Sequence, residues 1–296
     1  MVEALIPAAQ SRTGLRLRGL RRRRGVLMTQ VVLMAVIAAA VLPQVISPHD
    51  PYTQDLSRRL TPPVFIRGGS WMHVLGTDAL GRDMLSRVIY GARVSLMVAT
   101  IAVIVSGTIG VVLGLLAGYF GGPLDEIVMR ATEVQLAFPF ILTAVALVSV
   151  LGASLRNIVI VLGVTGWTTY ARVVRGISLS LREQEFVEAA RAIGCSHTRI
   201  LRRYLFPNVI GTVTVLGTFA FAAFIIAESG LSYLGLGVQP PTPSWGVMLA
   251  DGYIYLRIAW WVTVFPGLVL MLTALSINVL GDWVRDLLDP RLRNID

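Results

Sequence analysis

The sequence predicts an all-α integral membrane protein of about six transmembrane helices. Three observations lead there. Apolar runs of spanning length recur along the chain and are separated by short polar stretches. Hydrophobic residues make up 55% and charged residues 15%, with mean hydropathy +0.70, far from the balance of a soluble domain. Every one of the 26 basic residues is Arg, and most sit at the ends of apolar runs. That distribution is a topology signal rather than a phosphate-binding stripe, so the net charge of +9 does not imply a nucleic-acid partner. The absence of Lys excludes an ordinary phosphate-binding loop, which needs a Lys on the β- and γ-phosphates. Any ATP chemistry therefore belongs to a partner. The single Cys195 excludes an internal disulfide.

Residues 1–25 carry Arg12, Arg16, Arg18 and Arg21 through Arg24 and read as a flexible, basic cytoplasmic arm. Residues 26–46 form the first apolar run, long enough to span. Arg21 through Arg24 before an apolar run, with Ala38-x-Ala40 after it, also fits a cleaved or twin-arginine signal. The run continues past Ala40 and further spans follow, which favours an uncleaved anchor. Residues 47–91 are polar and rich in Pro and Gly, an extracytoplasmic segment in which Leu80, Met84, Leu85, Val88 and Ile89 suggest a helix lying in the interface. Spans are then expected at residues 94–120, 127–150 and 158–174. Gly107, Gly110, Gly114 and Gly118 permit close helix contacts in the second. Glu126, Arg130 and Glu133 pair at helical spacing, and Pro139 predicts a kink in the third. The fifth and sixth spans fall at residues 208–227 and 260–280, and residues 284–296 form a cytoplasmic tail. Residues 228–258 form an extracytoplasmic loop, too rich in Gly and Pro between 228 and 246 for a regular helix.

Between the fourth and fifth spans lies a polar, basic stretch, residues 180–207. Ser180 and Glu183 have capping-box spacing, and Phe186, Val187, Ala190 and Ile193 fall on one helical face. Gly194 stands where a left-handed residue ends a helix. A second start follows at Ser196, with Ile200, Leu201, Tyr204 and Leu205 as its apolar stripe and Pro207 opening the next span. The reading is two short helices around a glycine turn, either a mere linker or a handle for something outside the membrane.

Glu188-Ala189-Ala190, three residues, Gly194, then Leu205-Phe206-Pro207 resembles the EAA loop of bacterial ABC-importer permeases. In the family Leu-Pro often precedes the final Asn; here it is Phe206-Pro207-Asn208. The string from Leu75 to Arg93, GTD-x-LGRD-x-LSR-x-x-YGAR at its heart, resembles the dipeptide, oligopeptide and nickel branch of those permeases far more specifically. So do the stretch from Glu228 to Gly246 and the tail Leu288-Asp289-Pro290-Arg291. The resemblance implies a type I, MetI-like importer architecture in a bacterial inner membrane. It implies as partners a second homologous permease subunit, two ATP-binding subunits carrying ATP and Mg, and an extracytoplasmic solute-binding protein, with no cofactor on this chain. It also implies that Glu188, Ala189, Ala190, Gly194, Tyr204, Leu205 and Pro207 form the loop that docks into the ATPase. The implied cargo is di- or oligopeptides, with nickel or another small solute as the alternative.

Orientation follows from arginines in the arm, in residues 172–203, and at Arg285, Arg291 and Arg293, which put both termini in the cytoplasm. Arg58, Arg59, Arg67, Arg82, Arg87 and Arg93 on the outer side run against the rule, offset in part by Asp50, Asp55, Asp78 and Asp83. His49, His73 and His197 fall on two sides of the membrane and cannot form one metal site; no HExxH is present, and no metal site is expected. Ser232 in GLSYLG lacks nucleophile-elbow spacing, so an intramembrane hydrolase is poorly supported. Glu228 at the outer end of the fifth span is a candidate pathway or binding-protein contact, with Tyr233 and Trp245, unless it caps a helix or pairs with Arg257. Trp245, Trp260 and Trp261 read as an interfacial belt. A self-contained secondary transporter or channel is the rival class, but its charged midplane relay is missing from these spans. An impermeant thiol reagent is expected to reach Cys195 from the cytoplasmic face only; labelling in intact cells from outside would overturn the orientation.

Overall fold

The computed structural model describes the backbone of residues 12–288 and the side chains of residues 27–287. Among them the chain is helical, with a lone antiparallel bridge between Thr77 and Asp83 as its only strand-like pairing. The helices run α1 (Arg12–Val41), α2 (Pro43–Ile46), α3 (Met84–Phe120), α4 (Gly122–Leu136), α5 (Phe140–Leu151), α6 (Leu155–Thr165), α7 (Trp167–Leu181), α8 (Glu185–Ala192), α9 (His197–Ile200), α10 (Phe206–Tyr233), α11 (Trp245–Tyr253) and α12 (Trp261–Leu288). The tail motif from Asp289 onward and the first eleven residues of the arm lie outside the described residues.

Four helical stretches are long and apolar enough to cross a bilayer: α3, α6 with α7, the run from His197 to Tyr233, and α12. The pair α4 and α5 passes the same test together but bends by 90°. Leu27–Val41 is a shorter apolar helix. Of the six expected crossings, four are met by regular spans and a fifth by the bent pair, while the first, expected at residues 26–46, is met only by the shorter apolar helix Leu27–Val41. The break is sharper than the kink expected from Pro139. Proline lacks an N–H and disfavours helical geometry in the residue before it. Here Pro139 caps α5 with ψ 129°, so the helix stops and restarts.

Several local expectations are corrected. The arm from Arg12 is helical and continuous with the first span, which ends at Val41 rather than 46. No separate helix lies in the interface. Asp83 caps α3 by accepting from Ser86 N at 2.8 Å, and the helix then runs unbroken for 37 residues. At ~1.5 Å per residue that is about 55 Å, well beyond a hydrocarbon core of about 30 Å. Its first turns stand out of the bilayer, and the stripe assigned to lipid instead buries Met84 and Val88 against Met248, Ala259, Trp261 and Val262. The loop after the fifth span is also more regular than its glycines suggest. α10 continues through Glu228 to Tyr233, and Ser244 caps α11 by accepting from Val247 N at 3.3 Å.

The bundle centre is the crossing of α3 with α7. A Cβ on Gly110 would lie 2.4 Å from Trp167 O, on Gly114 2.6 Å from Ala171 O, and on Gly118 2.5 Å from Ser178 Cβ. Only hydrogen fits at those positions, as the small-residue spacing predicts. Gly107 is different, since its nearest neighbour would be Tyr170 at an ordinary 3.7 Å. Arg175 of α7 ties α4 to the same place through a bidentate pair with Asp125, its Nη2 at 2.6 Å from Oδ2. Gly110→Ala is expected to destabilise the detergent-solubilised protein by about 1–3 kcal/mol, because overpacking against backbone cannot be relieved by a rotamer. Gly107→Ala should be neutral or stabilising, by up to about 1 kcal/mol, as Ala is the better helix former. Thermal unfolding of the pair checks the contrast.

Candidate coupling site

α7 ends at Leu181, and two short helices follow before the chain re-enters the bundle. The capping box is corrected: Ser180 lies inside α7, and α8 starts after Gln184 with no side-chain cap. α7 outruns the expected boundary because its stripe is still packed there, with Ser178 buried and Leu181 resting on the cluster beneath the hairpin. Gly194 has φ +79°, the left-handed turn expected of it, and nothing lies within 4 Å of the Cβ it lacks. Cys195 N then closes the turn on Ala190 O at 3.0 Å. Ser196 precedes α9 as expected, though its hydroxyl makes no cap.

The second helix does not stop before the fifth span. Leu201–Leu205 is a π-helical turn leading directly into α10, with Phe206 N donating to Leu201 O. The wider turn has a local cause, because Pro207 cannot donate and its ring crowds the carbonyl one turn back. Asn208 Nδ2 donates to Tyr204 O at 2.6 Å beside it. Pro207 therefore lies inside one continuous helix from His197 to Tyr233 rather than being its first residue.

The hairpin has a shared core with the bundle. Val187, Ala190, Ile200 and Leu205 are buried with Val111, Leu115 and Tyr119 of α3, Val174 of α7 and Val209 of α10. Three polar and aromatic contacts lock it there. Tyr119 Oη and His197 Nδ1 are 2.9 Å apart, the Arg191 guanidinium lies 5.2 Å from the centre of the Tyr119 ring, and Phe186 stacks on Tyr204 at 6.3 Å. Phe186 and Ile193, read as part of the buried stripe, are instead 41% and 79% exposed. With Glu185, Glu188 and Ala189 they leave an outer face of α8 that is apolar at its edges and acidic in its first turn.

At the other end of α3 the motif from Gly76 to Arg87 folds into a charged knot. Asp78 accepts from Leu80 N and Arg82 N at 2.9 Å and from Arg82 Nε at 2.6 Å, with Arg87 Nε at 3.5 Å. Arg82 and Arg87 also face Asp251, at 3.6 and 3.7 Å. Both arginines are buried and face carboxylates, so neither is an exposed charge of the kind that the charge rule counts. The exposed Asp55 accepts from Ser57, and that hydrogen bond holds its carboxyl below the ordinary range.

Glu228 is fully buried in a cage of hydroxyls: Ser95 Oγ donates at 3.0 Å, Ser229 Oγ at 3.3 Å and Ser232 Oγ at 2.8 Å. It does not pair with Arg257, and it offers no surface to a partner. Trp245 is equally buried, donating from Nε1 to Val88 O at 3.0 Å, and Trp261 donates to Thr77 O at 3.1 Å. These two are core anchors, not an interfacial belt; Trp260 is 38% exposed and Tyr233 43%. In the membrane a cavity of about 360 Å³ opens at the 90° break, lined by Phe138, Phe140, Tyr170, Phe219 and Phe224 with Gln135 as a polar group. Gln135 Oε1 accepts from Trp167 Nε1 at 2.8 Å.

Residues 110–294, from the glycine-spaced face of α3 through the hairpin to the tail, match the family described as binding-protein-dependent transport system inner membrane component. The chain belongs to that family. It is 39% identical over 271 residues to the di/tripeptide transport system permease protein DppC of Pseudomonas aeruginosa (strain UCBPP-PA14), covering 92% of this chain and 89% of that one. It is 41% identical over 277 residues to the dipeptide transport system permease protein DppC of Bacillus subtilis (strain 168), covering 93% and 85%. The glutathione transport system permease protein GsiD of Escherichia coli O6:K15:H31 is 40% identical over 276 residues, covering 93% and 89%. A chain of the MetNI methionine ABC transporter, solved in inward-facing conformations, superimposes with TM-score 0.54 at 19% identity, covering 70% of this chain and 98% of that one. At that identity the likeness shows the fold, which is MetI-like. The protein is thus a membrane-spanning ABC-importer permease and not an enzyme.

The residues expected in this permease's coupling loop fall together. Glu188 and Ala189 are exposed, Ala190 and Leu205 are its buried roots, Gly194 is its turn, Tyr204 braces Phe186, and Pro207 lies in the first turn of α10, just after the π-helical turn. Sequence reasoning missed Tyr119 and His197, which sit 78 residues apart, and the serine cage, of which only the Glu228–Ser232 spacing of four was legible. Gly194→Val is expected to destabilise the hairpin by at least about 1–2 kcal/mol through backbone strain alone, since no neighbour would clash. Faster proteolysis between α8 and α9 in the variant is the measurement; unchanged cleavage would contradict it.

Proposed function

We propose that this permease forms half of the translocation pathway of an ATP-driven importer for di- or oligopeptides. It pairs with a second homologous permease, receives cargo from an extracytoplasmic binding protein, and docks residues 185–193 into one of two cytoplasmic ATPase subunits, both of its own termini being cytoplasmic. The names of the relatives support the cargo class, glutathione being itself a tripeptide. One observation carries the coupling role: the exposed face of Glu185, Phe186, Glu188 and Ile193 is backed by Val187 and Ala190, buried against α3 and α7. A handle rooted in the bundle core transmits displacement; a loose linker does not.

The mechanism is a population shift between pathway states. ATP-driven closure of the ATPases draws the docked hairpin with them. Because α9 is continuous with α10 and α8 is packed on α3 and α7, the movement reaches the spans as a rigid tilt. The cavity at the Pro139 break is this chain's contribution to the pathway wall, and its aromatic lining suits side chains of varied shape. Docking of this kind is a coupling free energy of about 1–3 kcal/mol. Glu188→Arg reverses the charge in the first turn of α8 without touching its buried roots. Normal membrane insertion and assembly are expected, with peptide uptake reduced about tenfold or more and ATPase activity no longer stimulated by the loaded binding protein. Uptake at the unmodified rate in an assembled variant would remove the coupling role.

A further inference from the structure

The outer segment before α3 brings together three groups that the sequence separates. His49 follows α2, His73 lies in the loop after it, and Asp83 caps α3. Their ligand atoms all lie within 4.8 Å of one another. His73 Nδ1 is 2.9 Å from Asp83 Oδ1, and His49 Nδ1 is 3.8 Å from the same oxygen. The two rings are 5.0 Å apart. We propose that His49, His73 and Asp83 form a binding site for a divalent transition-metal cation, zinc being the ion that this ligand set suits best.

Four features support it. The donor set of two imidazoles and one carboxylate is a common one for zinc, with a fourth position left for water. In a tetrahedral site with bonds of about 2.0–2.2 Å, ligand atoms lie roughly 3.3–3.6 Å apart. The two distances to Asp83 Oδ1 straddle that interval, and closure on an ion draws together the two histidine nitrogens, which lie within 4.8 Å of each other. His49 Nδ1 is a buried nitrogen with no hydrogen-bond partner, although the ring is otherwise one-third exposed. An unpaired buried polar atom is costly and calls for a partner. Finally, the carboxylate divides its work. Asp83 Oδ2 accepts from Ser86 N at 2.8 Å and Ser86 Oγ at 2.7 Å, which leaves Oδ1 free to face the histidines.

The site is also held from outside its ligand atoms. His49 N donates to Ser86 Oγ at 3.1 Å, and Ser47 Oγ donates to His49 O at 2.6 Å, so the His49 backbone is fixed relative to the N-terminus of α3. A bound ion takes the place of the contact between His73 Nδ1 and Asp83 Oδ1. An ion there staples the end of α2, the outer loop and α3 into one unit. Sequence reasoning separated the three histidines by membrane side and expected no metal site. It was right to exclude His197, which lies with Tyr119 on the other side, but it overlooked Asp83 as the third ligand.

The test uses the full chain, expressed with its partner subunits and carrying Cys195→Ser to remove the free thiol. After EDTA treatment it is equilibrated with ZnCl₂, and bound metal is counted by mass spectrometry of the eluted complex. His49→Gln is the informative variant, because it leaves the His73–Asp83 hydrogen bond in place. The parent is expected to hold one zinc more per chain than His49→Gln, with at least tenfold weaker binding in the variant. The zinc absorption edge should show imidazole and oxygen ligands without sulfur. ZnCl₂ should raise the thermal midpoint of the parent and not of the variant. Equal zinc content and affinity in the two proteins would overturn the proposal and leave a hydrogen bond between His73 and Asp83 only.

Discussion

The close approach of α3 and α7 is the constraint on which the rest of this permease depends. Gly110, Gly114 and Gly118 bring the two backbones so near that a single methyl at any of them would strike the other helix. Between helices in lipid there is no hydrophobic driving force comparable to that in water, so packing at short range is what holds such a pair. The contact fixes α7, and α7 in turn carries Arg175 to Asp125 of α4 and delivers the chain to the hairpin.

α3 connects both ends of the molecule. At one end Asp83 caps it, and Met84 and Val88 are covered by the outer elements, with Trp245 and Trp261 anchored to nearby carbonyls. At the other end Val111, Leu115 and Tyr119 seat α8 and α9. A helix of this length, buried at both ends and without an internal break, behaves as a rod. The hairpin and the charged knot are thereby joined through one element. The helical hydrogen-bond ladder is interrupted elsewhere, at Pro139 and at the π-helical turn before Pro207.

Much of the hairpin's geometry was legible. Gly194 as a left-handed turn, Ala190, Ile200 and Leu205 as the buried stripe, and Ser196 as a helix start all follow from local rules, and the structure places them so. The errors share a cause. Ser180 with Glu183 has the right spacing for a cap, but burial of Ser178 and Leu181 against the bundle extends α7 past it. Phe186 and Ile193 have the right spacing for a core, but α8 is short and meets the bundle only along a narrow strip. Local propensity is a weak signal wherever tertiary packing competes with it.

By itself the sequence determined the class of protein, the glycine face of α3 and the turn at Gly194. These depend on hydrophobicity, spacing and backbone freedom, which are properties of residues and their near neighbours. Only the tertiary structure decided that Glu228 sits in a cage with Ser95, that Arg82 and Arg87 share Asp78 and Asp251, and that Tyr119 meets His197. Likewise only the fold brings His49, His73 and Asp83 to one point. Each of these joins residues from different elements or turns of the chain. A buried charge or hydrogen-bonding group needs a partner, but the chain order does not say which distant residue the packing will supply.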